Sequence, residues 1–282
     1  AEHRGMTMSD KIFFEVVNMS ITGSFAILII ILVRLLLRKA PKVFSYTLWF
    51  VAFFRLLVPF SFESVLSILP FNTMPLSTDM LYIETPCVET GIKVIDNVIN
   101  PVVATEIFGS SINVYQAFTF CGKIIWYIGV FIFLLHTIRS YFKLKEKLQN
   151  AVLLRDNIYI TQTISTPFAI GLRNPKIYLP SNLASTQEYV IAHEQAHLSR
   201  HDNLAKVIGY VILVLHWFNP LVWIAFKLFV TDMEMSCDER VIRKAKTDIR
   251  KEYSQSLLDL SIEKSTLGVP MAFAEGSPKE RI

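Results

Sequence analysis

The sequence predicts a mainly α-helical membrane protein. Three transmembrane helices come first. An α+β domain follows, with a small sheet and an apolar helical hairpin between two motif-bearing helices. Three observations carry this expectation. Of 282 residues, 52% are hydrophobic and only 18% charged, where soluble domains carry about a quarter charged residues; the mean hydropathy is +0.41. Long apolar runs alternate with Lys/Arg clusters in one consistent in-out order. Two motifs with helical i, i+4 spacing, His193-Glu194-Gln195-Ala196-His197 and Glu234-Met235-Ser236-Cys237-Asp238, stand on either side of a further apolar stretch.

The net charge of +4 is small. No basic stripe interleaved with aromatics accompanies it, which argues against direct contact with nucleic acid. Three cysteines, Cys87, Cys121 and Cys237, fall in three different regions. They are too few for a disulfide framework and are expected to be free.

Residues 1–5 read as an appended tag remnant, with Met6 or Met8 as the native start. Residues 6–42 contain the first transmembrane helix. Its apolar run, residues 13–37, exceeds the ~20 residues a bilayer needs and is too long for a signal peptide. Arg34, Arg38, Lys39 and Lys42 crowd its end. The positive-inside rule makes that end cytoplasmic and the N-terminus external. Residues 43–62 form the second transmembrane helix, returning outward. Arg55 lies within it, and a charge in a membrane segment is a functional candidate by default. The alternative is an arginine that snorkels to the outer interface or sits in a structural ion pair. Residues 63–113 form an external connector in which Asp79, Glu84, Glu89, Asp96 and Glu106 face a single Lys93. Residues 114–138 are the third transmembrane helix. Arg139, Lys143, Lys145 and Lys147 follow at once, which returns the chain to the cytoplasm.

Residues 139–282 form the cytoplasmic protease domain. Short strands are expected at 152–154, 158–161, 168–172 and 176–179, with turns at Asp156-Asn157 and Arg173-Asn174-Pro175. An exposed edge of such a sheet can bind an extended peptide by strand addition. A helix then carries HExxH, with Ser185 or Thr186 as its cap. His193 and His197 share one face and can grip one Zn²⁺, which brings the pKa of a bound water towards ~7. Glu194 is placed to take that water's proton. In the ExxxD run, Glu234 can supply the third ligand and Asp238 can hold the ring N–H of a ligating histidine. Asp232, Cys237 and Glu239 are rivals for the third position. A metzincin is excluded, because Arg200 and Asn203 occupy the positions of its Gly and third His.

The apolar stretch 204–230 is about as long as a span, yet it separates His197 from Glu234. A single crossing would put the ligands on opposite sides of the membrane. Asn219-Pro220 reads as a cap followed by Pro at the first helical position. The stretch is therefore expected to be two half-length helices with an elbow at 218–220, Trp217 and Trp223 lying at the interface. The second helix should continue to about Lys246. A last helix is expected over 251–264, ended by Gly268-Val269-Pro270. The abrupt end at Ile282 leads one to expect that the natural chain continues.

Together these residues resemble the BlaR/MecR-type membrane metallopeptidases, the β-lactam-sensing transducers and their relatives. The motifs that carry the resemblance are His193-Glu194-Gln195-Ala196-His197, the run from Trp217 through Asn219-Pro220 to Trp223, and Glu234-Met235-Ser236-Cys237-Asp238-Glu239. Leu48-Trp49-Phe50, Arg55-Leu56-Leu57-Val58-Pro59-Phe60 and Pro167-Phe168-Ala169-Ile170-Gly171-Leu172 add to them. The resemblance covers nearly the whole chain, which corresponds to the membrane and protease part without the C-terminal sensor. It implies a gluzincin-like cytosolic zinc endopeptidase with one Zn²⁺ per chain, held by His193, His197 and Glu234, with Glu194 as general base. It further implies a protein substrate, a cytosolic DNA-binding repressor, and self-cleavage; a homodimer is a further partner to consider. A constitutive quality-control or prenyl-protein zinc peptidase, and a non-catalytic receptor module with a structural zinc, are the competing readings.

Overall fold

The computed structural model describes residues 7–58, 114–171, 173–181, 187–245 and 247–262. The external connector, Cys87, the Ser185/Thr186 cap, residues 1–5 and the C-terminal tail lie outside the described residues. The described chain is mostly helical, with one small sheet.

Helix α1 (Met8–Leu36) opens on a capping box. The Thr7 side chain accepts from the Asp10 N–H, and the Asp10 carboxylate accepts from the Thr7 N–H, which satisfies two donors that a helix start leaves orphaned. A 3-10 turn, Leu37–Lys39, and Pro41 at the N-cap lead into α2 (Lys42–Leu57). Gly23 lets the two helices close on each other, since a β-carbon there would collide with the Leu56 side chain. Helix α3 (Val114–Lys147) follows. Among the described residues, two segments, Met8–Lys39 and Thr119–Lys147, are long and apolar enough to cross a membrane. At 16 residues, α2 reaches about 24 Å, short of the ~30 Å hydrocarbon core; part of the expected second span, 59–62, lies outside the described residues. Leu28, Leu32, Phe54, Ile125, Phe131 and Leu135 project outward from these helices. An exposed apolar belt of this kind marks a surface meant for lipid or protein.

The sheet contains β1 (Val152–Arg155), β2 (Ile158–Thr161), β3 (Phe168–Ile170) and β4 (Lys176–Pro180) in the order β1-β2-β4-β3. Only the central pair, β2 and β4, is parallel. Asp156, at φ 45°, turns β1 into β2, a conformation that Asp tolerates better than most residues. Gly171, at φ 112°, ends β3 earlier than the expected 172, in a backbone region open to glycine. Ile158, Ile177 and Leu179 pack against Val190 and Ile191 of α4 (Gln187–Arg200). The sheet therefore serves as the platform for the HExxH helix.

The stretch between the two motifs is broken. Helix α5 (Asp202–Leu215) runs to an elbow at 216–219, and α6 (Pro220–Lys244) runs back. Asn219 caps α6 through its own Oδ1 to the Leu221 N–H (2.9 Å) and ties the elbow to α1 through Ser20 and Ser24 (2.8 Å each). The carbonyls that neither helix satisfies meet indole donors, Trp126 to Leu215 O and Trp223 to Trp217 O, both at 2.8 Å. Nearby, the imidazole of His216 bonds Leu56 O at 3.0 Å. These bonds satisfy elbow groups for which lipid would supply no partner.

The depth of the hairpin follows from its contacts. Asn219 meets Ser20, and Asp232 meets Arg34, so α6 runs alongside α1 for about 20 Å. At its other end α5 begins with Asp202, which meets Tyr46 of α2. Both ends of the hairpin therefore lie at the Arg34 end of α1, and the elbow lies partway along it. Helix α7 (Arg250–Ile262) closes the described chain.

The Arg34–Asp232 pair pins α6 to α1. Asp232 is fully buried and accepts from Arg34 Nε (2.8 Å) and Trp49 Nε1 (2.8 Å). Asp232→Ala leaves the guanidinium and indole without their acceptor and is expected to cost about 3–5 kcal/mol. Trp49→Phe, which removes one donor to the same buried carboxylate, should cost about 1.5–3 kcal/mol. Denaturant unfolding in detergent micelles measures both; equal losses would show that the ion pair contributes nothing beyond a hydrogen bond.

Candidate metal centre

Helix α4 presents His193 and His197 one turn apart, and α6 brings Glu234 between them. The two Nε2 atoms are 2.9 Å apart, and each is 3.3 Å from Glu234 Oε2. Tetrahedral bonds of 2.0–2.1 Å to zinc would set donors about 3.3 Å apart, so the donor set fits such an ion. All three side chains are buried.

Each histidine is held from its other nitrogen. His197 donates from Nδ1 to Asp202 Oδ2 at 2.7 Å, and Asp202 accepts from the Tyr46 hydroxyl at 2.9 Å and from Arg200 Nε at 3.3 Å. His193 Nδ1 lies 3.2 Å from Asp238 Oδ1 and 2.9 Å from the Tyr253 oxygen, and that hydroxyl donates to Asp238 at 2.6 Å. A carboxylate behind an imidazole fixes its tautomer and turns the Nε2 lone pair towards a metal. The second oxygen of Glu234 receives Lys206 Nζ at 3.2 Å.

The site gathers buried carboxylates around the two imidazoles. Glu194, Asp202, Glu234 and Asp238 are buried; Arg200 pairs with Asp202 and Lys206 with Glu234. Burial disfavours charge on His197, yet Glu234 beside it outweighs that and holds the ring protonated well above the usual histidine range. Burial also opposes ionisation of Glu234, but Lys206 and then His197 hold it ionised well below the usual carboxylate range. Burial raises the Cys237 thiol, and the His193 and His197 charges bring it down to about 7.

Glu194 is 2% exposed, and among the described residues its Oε1 has no hydrogen-bond partner. A buried carboxylate oxygen without a partner is costly, unless water or a ligand reaches it. The other sequence candidates fall elsewhere. Asp232 is committed to Arg34, and Glu239 accepts from the Lys42 N–H at 2.8 Å. Cys237 is the rival that stays near: its sulfur and a ring nitrogen of each histidine lie within 4.8 Å of one another. Arg55 is not brought to the site. It stands in the last turn of α2, nine residues beyond Tyr46 and so about 13 Å further along the helix. Lys206, Asp202, Tyr46 and Tyr253 were not singled out from sequence. Asp202 follows His197 by five residues, a spacing that faces away on a continuous helix. The left-handed His201, at φ 59°, breaks the helix and folds Asp202 back.

A buried His/His/carboxylate cluster with a spare glutamate beside it is the equipment of a metallopeptidase. Residues 14–282 match the family model described as BlaR1 peptidase M56. The chain belongs to that family. It is 29% identical over 209 residues to the regulatory protein BlaR1 of Bacillus licheniformis, covering 61% of this chain and 35% of that one. It is 23% identical over 276 residues to the methicillin resistance mecR1 protein of Staphylococcus aureus, covering 87% and 46%. The BlaR1 of Staphylococcus aureus is 22% identical over 273 residues, covering 87% and 44%. The chain thus spans less than half the length of these relatives.

The tyrosine hydroxyls give a direct check on the site. Tyr46→Phe and Tyr253→Phe each remove a donor to a buried carboxylate and should lower unfolding free energy by about 1.5–3 kcal/mol. Parallel unfolding curves in detergent measure this, and a neutral Tyr46→Phe would mean that Asp202 is held by Arg200 and His197 alone.

Proposed function

We propose that this chain is the proteolytic part of a membrane signal transducer: a zinc endopeptidase of gluzincin type with its active site on the cytoplasmic side. The single observation that supports this best is the meeting of His193 Nε2, His197 Nε2 and Glu234 Oε2, with the buried Glu194 next to His193 in the chain. In this reading the three donors hold one Zn²⁺ per chain. Bound zinc supplies Lewis acidity, for water and for the scissile carbonyl. Glu194 Oε1 takes a proton from the attacking water and returns it to the leaving amine. Asp202 and Asp238 keep both imidazoles oriented while this happens. Lys206 neutralises the distal oxygen of Glu234.

The expected topology has three spans, the N-terminus outside and residues 139–282 inside. The Lys/Arg clusters at 34–42 and 139–147 support it. So does the hairpin, both of whose ends lie at the Arg34 end of α1. The relatives' names, a regulatory protein and a methicillin resistance protein, favour a transducer over a constitutive peptidase. The substrate is then a cytosolic DNA-binding repressor, with the chain itself as a second target, and the signal concerns an antibiotic or the cell envelope.

Two measurements test the reading. Glu194→Ala should keep one zinc per chain and lose about 10²–10⁴ of its cleavage rate, whereas Glu234→Ala should lose zinc on dialysis. Cleavage near the wild-type rate in Glu194→Ala would remove the general base from the scheme. A cysteine label at the exposed His201 should react only after permeabilisation, and one at Lys93 from outside. The reverse pattern would put the site outside the cell.

A further inference from the structure

Cys237 follows Glu234 by three residues on α6, so both side chains lie on one face of the helix. Cys237 is fully buried, with Sγ 3.5 Å from the carbonyl oxygen of His193. That sulfur and one ring nitrogen of each motif histidine lie within 4.8 Å of one another. A buried cysteine is ordinarily a small apolar residue, and Cys237 does belong to a cluster with Ala196 and Val241. Its sulfur nevertheless lies near the two imidazoles on which the Glu234 carboxylate converges.

We propose that Cys237 Sγ is a fourth protein donor to the metal, so that the resting centre is a closed His₂-Glu-Cys site. The proposal rests on the His193, His197 and Glu234 ligand set argued above. A tetrahedral zinc with bonds of ~2.0–2.1 Å to nitrogen and ~2.3 Å to sulfur puts N and S about 3.5 Å apart. From within 4.8 Å, the sulfur needs to close by no more than ~1.3 Å. Ligation breaks the S–H bond, forms the metal–sulfur bond and releases one proton to solvent. Four protein donors leave no open position, whereas a catalytic zinc site keeps one for water. The resting protein is therefore latent, and proteolysis requires Cys237 to withdraw.

The fold supplies a handle for that withdrawal. Arg34 of α1 grips Asp232, five residues before Cys237, and the Lys42 N–H of α2 grips Glu239, two residues after it. The cysteine is thus bracketed by contacts from the two ends of the α1–α2 turn. Displacement of that turn relative to α6 would act directly on the Cys237 segment.

The experiment uses the full chain in detergent, stripped of metal with a chelator and titrated with Co²⁺. Cobalt reports tetrahedral binding by its visible d–d bands, and thiolate ligation by a near-ultraviolet sulfur-to-cobalt charge-transfer band. Wild type should show both bands. Cys237→Ala and Cys237→Ser should keep the d–d bands, lose the charge-transfer band and bind Co²⁺ at least about tenfold more weakly. Both variants should also cleave faster than wild type without any signal. If wild type shows d–d bands but no charge-transfer band, or if the band survives in both variants, the cysteine proposal fails while the metal centre stands. If wild type shows no d–d bands at all, the ligand set fails and the proposal fails with it.

Discussion

The reversal of the chain at 216–219 is the constraint on which the candidate site depends. Thirty-six residues separate His197 from Glu234, and most of them are apolar. Had α5 and α6 formed one helix, its length alone would have held the two motifs apart by more than the reach of any side chain. The turn instead folds them together, and its cost is offset locally: Asn219 caps α6, and Trp126 and Trp223 donate to the exposed carbonyls. Pro220 at the first helical position has no N–H to satisfy. Each of these bonds satisfies a group that an apolar environment could not.

Once the hairpin returns, buried charge dictates the rest. Glu234, Asp232 and Asp202 are each fully buried. An ionised carboxylate in such surroundings survives only when it is paired and hydrogen-bonded. The partners come from all over the chain: Lys206 from α5, Arg34 from α1, Tyr46 from α2 and Arg200 from α4. The Arg200 guanidinium also lies over the Tyr46 ring at 4.7 Å. These bonds tie the helices that carry the apolar belt to the elements that carry the histidines. The site is physically continuous with α1 and α2, and through Tyr253 with α7. A movement of either region would be felt first by the carboxylates behind the imidazoles.

Much of this was legible in the residues. The i, i+4 spacing of His193 and His197, the ExxxD run, and the Asn219-Pro220 break each report a local rule, and local rules are what a single sequence expresses. The four strands lie within a residue or two of their expected positions for the same reason. Arg55 shows the opposite case. Its charge within an apolar run marked it as a candidate, but a charge cannot announce what it faces, and it stands well away from the histidines along α2.

The sequence by itself determined a helical, lipid-compatible chain, the pair of motifs and the necessity of a hairpin, because periodicity, capping and hydropathy act over a few residues. The tertiary structure alone decided which carboxylate stands behind which histidine, that Lys206 faces Glu234, and that Cys237 lies beside both imidazoles. Asp202 reaches His197 only because His201 adopts a left-handed conformation, and Tyr46 reaches Asp202 across 156 residues of chain. Contacts of that separation arise from how helices pack, and no local pattern encodes them.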